Sequence, residues 1–234
     1  MKLLAFDTAT EACSVAVWDE GRVLERFEIA PRRHAELALP WAEALLAEAG
    51  LARSQLDAIA VSRGPGAFTG VRLGIALVQG IALALDRPVV AASTLAVLAL
   101  RAGATPGAQV LAAIDARMGE IYSAAYRIDA EGPMPVSDER VGPPDAYALP
   151  DDASGWWGVG TGFAAVEGHL QTRLGARFVQ VDAAALPRAA DLAALAAAAY
   201  ARGDAVAPER VEPAYLRDNV ALTLVEQQAL RAAR

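Results

Sequence analysis

Along the first hundred positions, short apolar runs typical of strands alternate with segments in which apolar residues recur about every fourth position, as in helices. The run KLLAFD predicts a buried strand, and SVAVWDEGRVLERFEI predicts two strands joined by a turn at residues 19–22. In HAELALPWAEALLAEAG, Leu37, Trp41 and Leu45 recur every fourth residue, which is typical of a helix. A strand over LDAIAVSRG and a long helix over AFTGVRLGIALVQGIALAL follow. The pattern therefore predicts strands and helices mixed along one region.

The same order of elements starts again after RPVVAASTLAVLALRA. VLAAIDARMGEIYSAAYRIDAEG matches LLAFDTATEACSVAVWDEG, so that Asp115 stands where Asp7 stood. Later, WWGVGTGFAAVEGHL repeats IAVSRGPGAFTGVRLG as strand, glycine loop and helix start. We therefore predict an α/β protein of two related halves, 1–104 and 105–234, each a mixed sheet with flanking helices.

This organisation resembles the actin-like ATPase (ASKHA, ribonuclease H-like) superfamily. The resemblance implies one cleft between the halves, where strand-end aspartates and glycine loops face nucleotide phosphates and a metal. An aspartate at a strand end is equally consistent with a turn residue that caps a loop. The residues that match the nucleotide cleft are Asp7, Thr8, Asp115, Gly158, Gly160 and Gly162.

The residues needed for catalysis are only partly present. Phosphoryl transfer needs carboxylates, backbone N–H groups and usually a cation or a base, yet GPGAFTG lacks a Walker lysine and only Arg117 offers a cation at either hairpin. The two histidines, His34 and His169, form no H-x-x-x-H or H-E-x-x-H pair, and no serine has a G-x-S-x-G context. The sequence therefore predicts neither a zinc protease site nor a catalytic triad.

Charge and composition narrow the function further. A net charge of -7 disfavours nucleic-acid binding by this chain alone, because phosphates are bound by clustered lysine and arginine. The single cysteine, Cys13, excludes an internal disulfide and suits a reducing cytosol. Residues 67–85 are apolar enough to suggest a membrane span, but Arg72, Gln79 and the glycines argue against one.

The glycines of SRGPGAFTGVRLG have a regular spacing. Gly66, Gly70 and Gly74 lie four residues apart and would share one helix face, where each costs about 1 kcal/mol relative to alanine. Close approach of another helix would explain Gly70 and Gly74. Gly64 and Gly66 indicate a tight turn, with an anion at the helix N-terminus as an alternative.

Four segments together resemble the TsaB (YeaZ) family of tRNA threonylcarbamoyladenosine biosynthesis proteins: LLAFDTATEACSVAVW, RRHAELALPWAEALL, AIAVSRGPGAFTGVRLGIALVQGIALAL and VEPAYLRD. The resemblance covers essentially the whole chain. The combination of D-T-A-T, G-P-G-x-F-T-G-x-R-x-G and P-x-Y-L-R is specific to it. It implies a bacterial cytosolic protein, without membrane association, that helps form N6-threonylcarbamoyladenosine at adenosine 37 of tRNAs reading codons that start with A.

The resemblance also implies a division of labour among subunits. This chain would be the non-catalytic scaffold that binds and activates TsaD, a catalytic paralogue, with TsaE as an ATPase partner. It would form a homodimer alone and reach tRNA only through the complex. It would need no cofactor itself, with ATP or ADP and Mg expected, if at all, at the boundary with the partner. The catalytic paralogues carry an H-x-x-x-H pair where this chain has Thr94 and Leu98.

The implied contact surface comprises the helices around 35–49 and 67–85. For the leucines, packing inside the domain is an open alternative. The expected contacts are His34, Leu37, Trp41, Phe68, Thr69, Gly70, Arg72, Leu73, Gly74 and Leu77. Two enzymatic alternatives remain: an ATP-binding or ATP-hydrolysing protein that uses Asp7 and Asp115, and a peptidase, because the paralogues were once grouped with metallopeptidases.

Overall fold

The computed structural model describes residues 1–217. Its first mixed sheet has the order β3-β2-β1-β4-β5, in which β1, β2 and β3 are antiparallel and β4 and β5 continue parallel to β1. β1 is apolar on both of its faces, as expected for a strand that is covered on both sides. The strands are β1 (Lys2–Asp7), β2 (Ala12–Asp19), β3 (Arg22–Ile29), β4 (Ala58–Ser62) and β5 (Val89–Ala92).

The second sheet repeats this topology. Its order is β11-β10-β6-β7-β8, with β9 also pairing with β7, and β6 takes the place that β1 has in the first sheet. β6 and β7 are antiparallel, while β10 and β11 continue in parallel. The strands are β6 (Gln109–Arg117), β7 (Glu120–Asp129), β8 (Gly132–Pro135), β9 (Arg140–Gly142), β10 (Trp156–Val159) and β11 (Phe178–Asp182). The predicted pair of related α/β halves is confirmed.

Helices cover both faces of the first sheet. The helices are α1 (His34–Ala49), α2 (Phe68–Leu85), α3 (Thr94–Ala99), α4 (His169–Leu174) and α5 (Ala189–Arg202). α1 and α2 pack on one face, where Leu45 and Val78 meet Phe6. α5 packs on the opposite face, where Leu192 meets Leu3. Because successive strand residues point to opposite faces, β1 contributes to both cores.

The position of α5 departs from a simple division of the chain. A boundary at residue 104 separates the two sheets, but α5 lies beyond it and packs on β1 and β2 of the first sheet. Glu25 of β3 holds the start of α5: its carboxylate accepts from the N–H of Ala190 at 3.1 Å and pairs with Arg188 at 2.9 Å. The unit 105–234 is therefore not a separate packing unit, because its last described helix completes the first core.

Candidate functional site

The first predicted cleft residue, Asp7, is buried at the end of β1. Its Oδ1 accepts from the backbone N–H of Ala9 at 3.1 Å, and its Oδ2 accepts from the hydroxyl of Ser62. Burial raises the pKa of this carboxyl from 3.8 to about 6, although both hydrogen bonds oppose the increase. Asp7 therefore acts as the turn residue after β1, which was one of its two sequence interpretations.

The glycine face of α2 packs against this same turn. A Cβ on Gly66 would overlap the carbonyl oxygen of Ala9, and one on Gly70 would overlap that of Thr8. A Cβ on Gly74 would lie 2.7 Å from the Thr8 hydroxyl, which donates to the Gly70 carbonyl at 2.7 Å. The expected close approach exists, but a turn of the same chain makes it. The prediction that another helix approaches Gly70 and Gly74 is wrong, because both are buried beneath that turn.

The glycine loop of the second half is packed in the equivalent way. A Cβ on Gly160 would overlap the carbonyl oxygen of Ala113 in β6, and one on Gly162 would lie 2.7 Å from the Ala113 Cβ. Thr161 accepts from the backbone N–H of Asp115 at 3.1 Å. In both halves, therefore, the missing side chains let a loop or helix rest on the end of the central strand. Gly158 lies beneath the ring of Phe163.

A cleft of about 700 Å³ lies between the two halves. Of the predicted nucleotide residues only Asp115 lines it, and the Asp115 carboxylate pairs with Arg117 at 2.9 Å. Asp7, Thr8 and the 158–162 loop are directed into packing contacts instead. Other lining residues are Glu11, Arg32, His34, Phe68, Tyr215 and Arg217. The structure therefore has a cleft lined by residues of both charges, but it does not bring the six predicted nucleotide-binding residues together in that cleft.

The two residues expected from the family resemblance to stand in place of a histidine pair also lie in the core. Thr94 and Leu98 are fully buried, with Leu98 packed among apolar residues of the second core. Within residues 1–217, no group of three or more His, Cys, Asp and Glu side chains could hold a metal ion. His34 is also engaged by the backbone of the same chain. Its Nε2 lies 3.0 Å from the Thr10 carbonyl oxygen and 3.1 Å from the Ala12 carbonyl oxygen. Both neighbours are acceptors, so Nε2 carries the proton.

One side of α2 is exposed and apolar. Phe68 and Leu83 are 57% and 62% exposed, and Leu73 and Leu77 are half-buried. Arg72 is the single charged residue of this helix. The α2 face is defined here by the outward side chains Phe68, Thr69, Arg72, Leu73, Ala76, Gly80 and Leu83. By length and hydropathy α2 could cross a membrane, but its other side is part of the first core.

The predicted contacts of α1 are less accessible. His34 is buried, while Leu37 and Trp41 are half-buried and pack against the first core. Leu39, which was not among the predicted contacts, is exposed. Leu37 therefore fits the alternative that the leucines pack inside the domain. Other residues of α1, such as Leu39, form its outward surface.

An aromatic cluster at the start of α2 was not predicted. The guanidinium carbon of Arg72 lies 3.7 Å from the centre of the Phe68 ring, and its Nε donates to the Tyr215 hydroxyl at 2.7 Å. The Tyr215 ring lies 6.5 Å from that of Phe68. The P-x-Y-L-R motif contained the signal for Tyr215, but residues so distant in sequence are joined only by the fold.

Comparison with known proteins identifies the family. Residues 27–224 match the family model "TsaD: tRNA N6-adenosine threonylcarbamoyltransferase". The chain is 43% identical over 230 residues to the tRNA threonylcarbamoyladenosine biosynthesis protein TsaB of Escherichia coli, covering 94% of this chain and 96% of the relative. The chain belongs to the TsaB (YeaZ) family. A TsaB from Haemophilus influenzae is 36% identical over 229 residues, with 94% and 95% covered.

Solved structures agree with TsaB membership. YeaZ from Pseudomonas aeruginosa is 51% identical with a TM-score of 0.85, covering 92% of this chain and 99% of that one. The ethanolamine utilization protein EutJ from Carboxydothermus hydrogenoformans has a TM-score of 0.51 over 84% and 90% of the chains, but only 14% identity, so the likeness concerns the fold alone. The sheet topology and these relatives confirm the predicted actin-like fold of this TsaB-family chain.

Proposed function

We propose that this TsaB-family chain is a non-catalytic scaffold in tRNA threonylcarbamoyladenosine biosynthesis. It binds and activates the catalytic paralogue TsaD, which modifies adenosine 37 of tRNAs reading codons that start with A. The observation that carries the proposal is the exposed α2 face. The helix is apolar along almost its whole length, yet only six of its 18 residues are buried. A contiguous apolar surface of this kind in a folded protein usually marks an interaction site.

The composition of the α2 face supports a helical partner. Ala76 and Gly80 lie at its centre, and a Cβ on Gly80 would meet nothing within 4 Å. Small residues on an outward helix face let a second helix approach closely. Larger contacts surround them, with Leu73 and Leu83 as apolar anchors and Arg72 held against Phe68.

The choice of TsaD rests on relatedness. A model of the TsaD family matches most of this chain, so the two proteins share a fold and can present equivalent helices to one another. A homodimer of the isolated chain uses the same face about a two-fold axis, and TsaD replaces one copy. TsaE and tRNA join through the assembled complex, and any ATP or ADP with Mg binds at the boundary between subunits.

The proposal that the chain is non-catalytic rests on polar side chains that already form hydrogen bonds or ion pairs within the chain. The Asp7 carboxylate and the Thr8 hydroxyl are buried and hydrogen-bonded, and Asp115 is paired with Arg117. An ATP-hydrolysing role would need at least one of these carboxylates free to hold a metal. Calorimetry of the isolated chain with ATP and magnesium tests this alternative, since tight binding with turnover would contradict the scaffold function.

The function itself is tested by reconstitution. The chain is co-purified with TsaD, and tRNA modification is measured with each component omitted in turn. Leu73→Asp, which places a charge in the α2 face, is assayed beside the wild-type chain. We expect wild-type TsaB to bind TsaD and to be required for modification, and Leu73→Asp to lose both while its thermal unfolding stays cooperative. Full modification without this chain would refute the proposal.

A further inference from the structure

The segment that follows α5, residues 204–217, runs back across the first half and is here called the strap. Val206 and Val89 exchange two backbone hydrogen bonds of 2.8 Å. The side-chain amide of Gln79 in α2 donates to the Pro208 carbonyl at 3.0 Å, and the N–H of Ala214 donates to the Arg63 carbonyl at 2.8 Å. Most of the strap is therefore fixed to the first half by polar contacts.

The end of the strap crosses to the second half. The Arg217 guanidinium pairs with Glu120 at 2.5 Å and donates to the Ala116 carbonyl at 3.1 Å. Both acceptors belong to the hairpin of β6 and β7, beside the cleft. The Arg217 side chain is half-buried, so its ion pair is better shielded from solvent than a fully exposed one.

Two residues before this contact, the strap reaches the α2 face. The Tyr215 hydroxyl accepts from Nε of Arg72, and its ring is exposed beside Phe68. Residues 215 and 217 are separated by only about 7 Å of extended chain. A short stretch of backbone therefore joins the contact of Tyr215 with the α2 face to the contact of Arg217 with the hairpin of the second half.

We propose that the strap couples docking on the α2 face to the position of the β6–β7 hairpin. The inference rests on the proposed function, in which TsaD occupies that face. Tyr215 forms part of the docking surface, and the Arg217–Glu120 pair holds it in its binding conformation. Because coupling between two sites is reciprocal, bound TsaD also stabilises the hairpin contact. The partner surface is thus composite, with its geometry set by both halves.

The test compares two substitutions on the strap. Arg217→Gln removes the contact with the second half, whereas Arg210→Gln changes an exposed arginine of the same strap that has no ion pair among residues 1–217. Affinity for TsaD is measured by calorimetry. Hydrogen exchange of residues 115–121 is followed with and without TsaD, and thermal unfolding verifies the fold of each variant.

We expect Arg217→Gln to weaken TsaD binding about tenfold, and Arg210→Gln to leave it unchanged. TsaD should slow exchange of the hairpin in the wild-type chain but not in Arg217→Gln. Glu120→Gln should weaken TsaD binding by a similar factor. The double variant should bind hardly more weakly than either single variant, because each substitution alone already breaks the same ion pair.

Two results would overturn the inference. Equal affinity of the wild-type chain and Arg217→Gln would show that the strap does not contribute. Protection of the hairpin in both would show that TsaD touches it directly. In either case loss of binding by Leu73→Asp would leave the proposed function intact. If the wild-type chain does not bind TsaD at all, the proposed function fails, and the coupling falls with it.

Discussion

The Thr8 hydroxyl donates to the Gly70 carbonyl oxygen at 2.7 Å, so the first turn of α2 rests on the turn after β1. A Cβ on Gly70 would overlap the Thr8 carbonyl oxygen, and backbone on both sides leaves little room to adjust. We therefore expect Gly70→Ala to lower the free energy of unfolding by about 3 kcal/mol, as overpacking does. Urea unfolding followed by circular dichroism measures this.

Gly80 provides the matched control on the same helix. It is exposed, and a Cβ there would meet no atom within 4 Å. Gly80→Ala should raise stability by about 1 kcal/mol, because alanine is the better helix former. If the two substitutions had the same sign, the packing role of Gly70 would be wrong.

The buried Asp7 carboxyl makes stability depend on pH. Its pKa is about 6 in the folded chain and 3.8 as a model value, so the folded state holds this proton more tightly. The stabilisation from Asp7 is fully present below about pH 4 and is lost as the pH rises through about 6. The shift corresponds to about 3 kcal/mol between the two protonation states.

Asp7→Asn should remove this pH dependence while keeping a partner for Ala9 and Ser62. The free energy of unfolding is measured for the wild-type chain and for Asp7→Asn between pH 4 and 7. The difference between the two proteins should change by up to about 3 kcal/mol over that interval. Ser62→Ala removes a hydrogen bond that lowers the pKa of Asp7, and should move the loss to higher pH. A difference that is constant across this range would contradict the burial of the charge.

Glu25 connects β3 with the start of α5. Its carboxylate accepts from the Ser14 hydroxyl at 2.8 Å as well as from Ala190, and it pairs with Arg188. Glu25→Ala removes this cap and leaves Arg188 without its partner, at a cost of about 2 kcal/mol. Glu28→Ala, on the same strand, removes only an exposed pair with Arg33 and should cost below about 1 kcal/mol. Equal losses in thermal unfolding would show that Glu25 does not anchor α5.

The role of the α2 face in docking can be tested by comparing two exposed apolar residues, one on this face and one elsewhere. Leu83 on α2 is 62% exposed and Val179 on the edge strand β11 is 63% exposed. Because both side chains are mostly exposed, aspartate at either position removes little buried apolar area, and both variants should remain folded. Leu83→Asp should weaken TsaD binding at least about tenfold, whereas Val179→Asp should not. Similar affinities for both in calorimetry would indicate that docking uses another surface.

Much of the fold could be read from local pattern. The apolar runs before Asp7 and Asp115 give central strands, the hairpins that follow give antiparallel neighbours, and the internal match between the halves predicts two related sheets. The spacing of Gly70 and Gly74 indicated that another part of the protein approaches this helix face closely, although the predicted partner, another helix, was wrong. These features depend on residues near one another in the chain.

The partners of those features were decided only by the tertiary structure. The sequence by itself determined that something must rest on the α2 glycines, but only packing showed that this is the turn of Thr8, 62 residues away. In the same way, Arg72 meets Tyr215 across 143 residues, and Arg217 meets Glu120 across 97. A local pattern fixes what a surface can accept, because that depends on the side chains present. Which surface arrives depends on the path of the whole chain.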